Sequence, residues 1–288
     1  MRSLRRRGLL GSVRHAMQWL ATEVESRQKR RARQAIDERF DQAHGIDTGG
    51  IVRVDALGVT GENVQHAVQY QPVFPEPVNE VMKQLPVDGG KFIFVDFGSG
   101  KGRALLLASE FPFRRIVGIE FSRQLHQTAE ANWRKYRSRT QKCKTIELLC
   151  VDAVTYDIPP VPTVFFLYNP FREVVMKKVA DRIHKSLQQV PRTVFVVYFN
   201  PQVLNLWSRI DALEIFPIRQ PVWPALFRGE TVEVWATRGT SAGRNLGRAS
   251  YIEWAAGQIL VFLYCPLRIF CSSTCESMQH LTAQFIYS

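Results

Sequence analysis

From residue 92 onward the chain alternates short apolar runs with longer stretches of helical periodicity, and this alternation restricts the fold more than any other feature. FIFVDFG (92–98), rich in β-branched and aromatic residues and closed by glycine, predicts a first strand, and GRALLLASEF (102–111) a buried helix after it. RIVGIEF (115–121) predicts a second strand. SRQLHQTAEANWRKYRS (122–138) opens with a Ser suited to cap a helix and places Leu125, Ala129, Trp133 and Tyr136 on one face. TIELLCVD (145–152) and TVFFLYN (163–169) predict the third and fourth strands, REVVMKKVADRIHKSLQQ (172–189) a helix, and TVFVVYFN (193–200) a fifth strand. LEIFPI (213–218) and TVEVWAT (231–237) form a closing pair. Strands this apolar are buried on both faces, so the pattern predicts an α/β fold: a mostly parallel, seven-stranded, Rossmann-like sheet with helices on both faces. In such a sheet a ligand sits at the carboxyl ends of the strands, near the switch in strand order.

Composition sets the domain plan. The 288 residues carry a net charge of +12, but residues 1–39 alone hold eleven basic and four acidic side chains, so the body is only mildly basic. The plan is a basic helical arm (1–45), a body (46–238), a Gly/Ser-rich linker (239–250) and a hydrophobic tail (251–288). In the arm, Leu9, Leu10, Val13, Met17 and Leu20 recur at helical spacing beside Arg5, Arg6 and Arg14. Such a basic amphipathic helix either packs on the body by that stripe or contacts a polyanion or membrane surface. The apolar run in the tail is broken by Gln258, Pro266 and Arg268, so a transmembrane anchor is not expected. Five cysteines without a C-x-x-C pair point to a reducing, cytoplasmic compartment. Cys265, Cys271, Cys275 and His280 lack zinc spacing, and no metal is expected.

The chemistry concentrates in VDFGSGKGR (95–103), where Gly98, Gly100 and Gly102 recur at every second position between a strand and a helix. Glycine permits positive φ and close approach of a ligand. A dinucleotide fingerprint, G-x-G-x-x-G, fails because Arg103 holds its third glycine position, and a phosphate loop fails because Val95 and Gly102 occupy its first glycine and its hydroxyl positions. The motif that fits is D-x-G-x-G-x-G. Asp96 stands at the strand tip, and Glu120, ending the second strand, is placed to accept ribose hydroxyls. Asp152 with the small Ala153 ends the third strand, where an acid suits an adenine amino group. A carboxylate at 96 suits a ligand bearing an ammonium group and repels a pyrophosphate, and that combination describes S-adenosylmethionine.

On these residues the chain resembles the class I S-adenosylmethionine-dependent methyltransferases from about residue 70 to 237. YQPVFPEPVNEVMKQLP (70–86) with FVDFGSGKGR is also similar to the Y-x-P-T and F-V-D-L-G-S-G segments of non-SET histone lysine methyltransferases, with Val73 in place of Thr and Gln71 in place of Glu. From FDQAHGIDTGG to YFNP it resembles bacterial methyltransferase-like proteins of unassigned substrate. The resemblance implies that Asp96, Gly98, Ser99, Gly100 and Gly102 hold the methionine part, Glu120 with Phe121 the ribose, Asp152 with Ala153 the adenine, and that Tyr70 covers the cofactor. Asn169, Pro170 and Phe171 stand where amino-methylating enzymes have [DNS]-P-P-[YFW]. An amide oxygen there accepts from a target NH₂ while the ring stacks on it, although the second proline is missing here. The expected function is methyl transfer to nitrogen of a protein or small-molecule acceptor. Two competing readings are a catalytically inactive cofactor-binding scaffold with a basic arm and a nicotinamide-dependent oxidoreductase. Asn200-Pro201 repeats the Asn-Pro pair at a second strand end and supports a plain turn at both places.

Overall fold

The computed structural model describes residues 4–59, 64–203 and 205–240, without the side chains of 4–14 and 16. The linker beyond Thr240, the tail at 251–288 and its Cys/His residues lie outside the described residues. Helices α1 (Leu4–His44) and α2 (Pro75–Met82) precede the sheet. Then follow β1 (Ile93–Phe97), α3 (Arg103–Ala108), β2 (Arg115–Glu120), α4 (Arg123–Lys135), β3 (Ile146–Cys150), β4 (Thr163–Tyr168), α5 (Glu173–Gln189), β5 (Val194–Phe199), β6 (Leu213–Ile215) and β7 (Val232–Thr237).

The seven strands form one sheet in the order β3-β2-β1-β4-β5-β7-β6. β1 to β5 are parallel, and β7 runs antiparallel between β5 and β6. This is the mostly parallel, seven-stranded, Rossmann-like sheet expected from the alternation. Alternate residues of each strand enter opposite cores. Phe94, Phe166, Phe195 and Val197 pack against α2 and α3, while Val95, Phe165, Val196 and Tyr198 pack against Val175, Val179 and Ile183 of α5. Each such side chain contributes about 1.5–3 kcal/mol by leaving water. The chain builds outward from β1 to β2 and β3, then crosses back to β4, which opens a crevice at the carboxyl ends of β1 and β4.

Local chemistry sets the element ends. Ser122 caps α4 by accepting from the Leu125 N–H at 3.5 Å. α3 stops at Ala108, short of the expected 111, where the bonding tightens, with the N–H groups of Glu110 and Phe111 donating to the carbonyls of Leu107 and Ala108 at 3.1 and 3.0 Å. Within the stretch expected as an arm, 1–45, Leu4–His44 form one helix whose last turns belong to the body. Arg33 and Asp37 are buried, and Ile36 and Phe40 pack beside them on the core. No helix among the described residues is long and apolar enough to cross a membrane, and none of the described residues form a metal-ligating cluster.

Candidate functional site

The turn after β1 forms the floor of the crevice. The N–H groups of Gly98 and Ser99 both donate to the Ile119 carbonyl, at 2.9 and 3.0 Å, and Gly98 and Gly100 take φ values of +80° and +53°. Those bonds fold the loop across the end of β2 and aim the Gly100 N–H at Glu120 Oε2, 2.8 Å away. The Ser122 N–H donates to Oε1 at 2.8 Å. Both carboxylate oxygens of Glu120 thus accept from the backbone. Glu120 is 5% exposed. Burial pushes its pKa up, and the N–H groups of Ser122, Gly100 and Phe121 pull against that rise.

Asp96 is the sharper case. It is 3% exposed, and among the described residues its carboxylate has neither a hydrogen bond nor a cation. Burial first, and the charge of Glu120 second, hold its pKa well above the usual carboxylate range. A buried acid facing a cavity beside a second acid is stable as an anion only when a cation arrives.

The walls come from distant segments. A Cβ on Gly98 would stand 2.6 Å from the Pro170 Cβ, so glycine lets the β1 turn close on the turn after β4. A Cβ on Gly100 would overlap the Cδ2–Cε2 edge of the Tyr70 ring, which packs against that residue. The Tyr70 hydroxyl donates to the Thr48 carbonyl at 2.7 Å, and burial raises its pKa, so it remains a donor. Paired backbone bonds between Val52 and Tyr70 and a bridge between Ala67 and Phe171 hold this covering segment over the crevice.

Tyr70, Asp96, Gly98, Ser99, Glu120, Phe121, Asn169, Pro170 and Phe171 line one cavity. Asp152 and Ala153 line a smaller adjoining hollow that shares Gly98, Phe121 and Phe171 with it. Asp152 also caps the turn that follows, its Oδ1 accepting from the Val154 N–H at 3.0 Å. Gly100 and Gly102 line neither: the first lies under Tyr70, and the second starts α3 against Ala129 at a φ of +89°.

Among the residues of this cavity that sequence reasoning missed are Gln71, Arg103, Tyr168 and Asn200. Asn200 was counted only as a turn. It takes a φ of +49° beside the +44° of Asn169, and both occupy the same wall. The signal was present in the paired Asn-Pro strand ends of two neighbouring parallel strands. The Asn200 amide donates to Glu230 at 2.8 Å, and the Tyr168 hydroxyl, which accepts from the Gln71 amide, points to the same carboxylate at 3.4 Å. Arg103 looked like a misplaced residue in a glycine motif. It is a buried tie whose guanidinium donates to Asp37 and Asp41 of α1, to the Thr48 hydroxyl and to the Val73 carbonyl. No local pattern announces such a residue.

No known family model and no curated protein matches the chain. Solved structures with a similar fold include a tRNA (m1A58) methyltransferase from Aquifex aeolicus, 19% identical over 59% of this chain and 72% of that one, with a TM-score of 0.44. Another is an RNA methyltransferase from Salinibacter ruber in complex with S-adenosyl-L-homocysteine, 19% identical over 60% and 97%, TM-score 0.41. A third is a SAM-dependent methyltransferase from Leishmania major, 13% identical over 56% and 70%, TM-score 0.42.

Proposed function

We propose that the chain is an S-adenosylmethionine-dependent methyltransferase that acts on nitrogen of a protein or small-molecule acceptor in the cytoplasm. The observation that carries this reading is Asp96: a buried carboxylate without a cation, beside a second buried carboxylate, on a cavity lined by the positive-φ Gly98. A dinucleotide would bring a pyrophosphate to two acids, whereas a methionine moiety brings an ammonium.

Asp96 would hold that ammonium, the backbone of Gly98 and Ser99 the methionine chain, Glu120 and Phe121 the ribose, and Asp152 with Ala153 the adenine. Tyr70 would close the cavity. The cofactor supplies an electrophilic methyl on a cationic sulfur, which an uncharged amine displaces in line. The protein's part is placement. The Asn169 side chain makes no hydrogen bond among the described residues, so its oxygen is available to accept from an acceptor N–H, with Phe171 as the adjoining apolar wall. The amine must reach the site deprotonated, and an amide orients it without protonating it.

Calorimetry with S-adenosylmethionine, S-adenosylhomocysteine and NAD tests the reading: the first two should bind and NAD should not. Transfer of label from S-adenosylmethionine into an extract, lost in Asn169→Ala, separates an enzyme from an inactive scaffold. Binding with no labelled product would favour the scaffold.

A further inference from the structure

Residues 17–32 of α1 serve neither the core nor the cavity. The side chains of residues 17–32 are all exposed or half-exposed, and Arg33 is the first to be buried. At 1.5 Å per residue, the part from Leu4 to residue 32 extends for roughly 40 Å. Met17, Leu20 and Val24 are 66%, 54% and 53% exposed. They share one face and continue the helical spacing of Leu9, Leu10 and Val13 in the sequence.

Met17, Leu20 and Val24 do not meet the body. α1 docks through Arg33, Ile36, Asp37 and Phe40. Ile36 and Phe40 lie sixteen and twenty residues beyond Leu20, which at about 100° per residue is roughly 160° and 200° around the axis. The docked face and the apolar face are therefore on opposite sides of the helix. Met17, Leu20 and Val24 thus point away from the side by which α1 docks.

We propose that this part of α1 is an interfacial helix that seats the protein on an anionic lipid surface. Arg5, Arg6, Arg7 and Arg14 precede the first acid of the chain, Glu23, so the apolar stripe is accompanied by uncompensated positive charge. Apolar residues entering the acyl boundary and arginines facing anionic headgroups are the two contributions that hold such helices flat on a membrane. A polyanion such as RNA would use the arginines and leave Met17, Leu20 and Val24 in water. A second copy of the chain fits less well. Leu10, Val13, Met17, Leu20 and Val24 keep a three-four spacing for only two heptads, and Arg27 and Arg31 take the next seam positions.

The test is sedimentation of the full chain with vesicles of phosphatidylcholine alone and of equimolar phosphatidylcholine and phosphatidylglycerol. Binding to the anionic vesicles should be at least about tenfold stronger and should weaken at high salt. The double variant Met17→Asp/Leu20→Asp and the triple variant Arg5→Gln/Arg6→Gln/Arg7→Gln should each lower it at least about tenfold. The double variant should keep the parental melting temperature, because Met17 and Leu20 are exposed. The proposal is overturned by a chain that stays in the supernatant with anionic vesicles or by undiminished binding of the double variant. It is equally overturned if the stripe proves to form a dimer that ignores vesicles, or if a single-stranded RNA oligonucleotide binds with no loss in the double variant while vesicles do not bind.

Discussion

Replacing Asp96 by Asn separates the stability of the empty domain from its affinity for a cationic ligand, because the two should move in opposite directions. In the empty protein the carboxylate is buried beside Glu120 without a cation, and its pKa is raised. A raised native pKa contributes stability that is fully present below the unfolded value of about 4 and is lost as pH rises through the native value. At neutral pH the parental domain therefore carries a penalty that the isosteric amide lacks. Relief of such functional strain is typically worth about 0.5–2 kcal/mol, or roughly 1–8 °C in melting temperature for a domain of this size. The difference should shrink toward pH 4 and grow toward neutrality.

Ligand stabilisation should run the other way. S-adenosylhomocysteine at a hundredfold excess over Kd adds about 2.7 kcal/mol, roughly 5–10 °C, to the parental protein. Loss of a buried charge-assisted contact costs about 2–5 kcal/mol, or about 30-fold to several thousand-fold in Kd. At the same ligand concentration the variant's shift should fall to about 3 °C or less. Thermal melts of both proteins across pH, with and without S-adenosylhomocysteine, give all four numbers. An Asn variant that melts lower when empty, or that keeps the full ligand shift, would refute the assignment of Asp96 to the ammonium.

Glu120→Gln should weaken S-adenosylhomocysteine by about 1–3 kcal/mol in calorimetry, since an amide cannot accept from two backbone N–H groups and the ribose together; an unchanged Kd removes Glu120 from the site. Gly100→Ala should cost about 1–3 kcal/mol of stability through its positive φ and displace the Tyr70 ring, read as a lower melting temperature and weaker binding. Arg103→Ala leaves Asp37 and Asp41 near each other without their shared cation, and a loss of about 3–5 kcal/mol is expected in denaturant unfolding. Stability within about 1 kcal/mol of the parent would show that the tie is dispensable.

Much of this protein is decided within short windows of chain. Strands β1, β2, β4 and β5 are legible because apolar, β-branched runs of five or six residues are buried on both faces of the sheet. The glycine turn is legible because positive φ at residues 98, 100 and 102 is a property of those residues, and the acids at 96, 120 and 152 because each ends a predicted strand. Other features exist only once the sheet has ordered itself. Tyr70 reaches Gly100, Asn200 joins Asn169, and Arg103 finds Asp37 and Asp41 across separations of 30 residues or more, and nothing local encodes such distances. α1 makes the same point most plainly. Its periodicity shows an apolar stripe, yet the helix docks by the opposite face, because a buried guanidinium between two carboxylates is a stronger tether for a helix than a few exposed aliphatic side chains, and only the position of Arg103 in space determines which face that is.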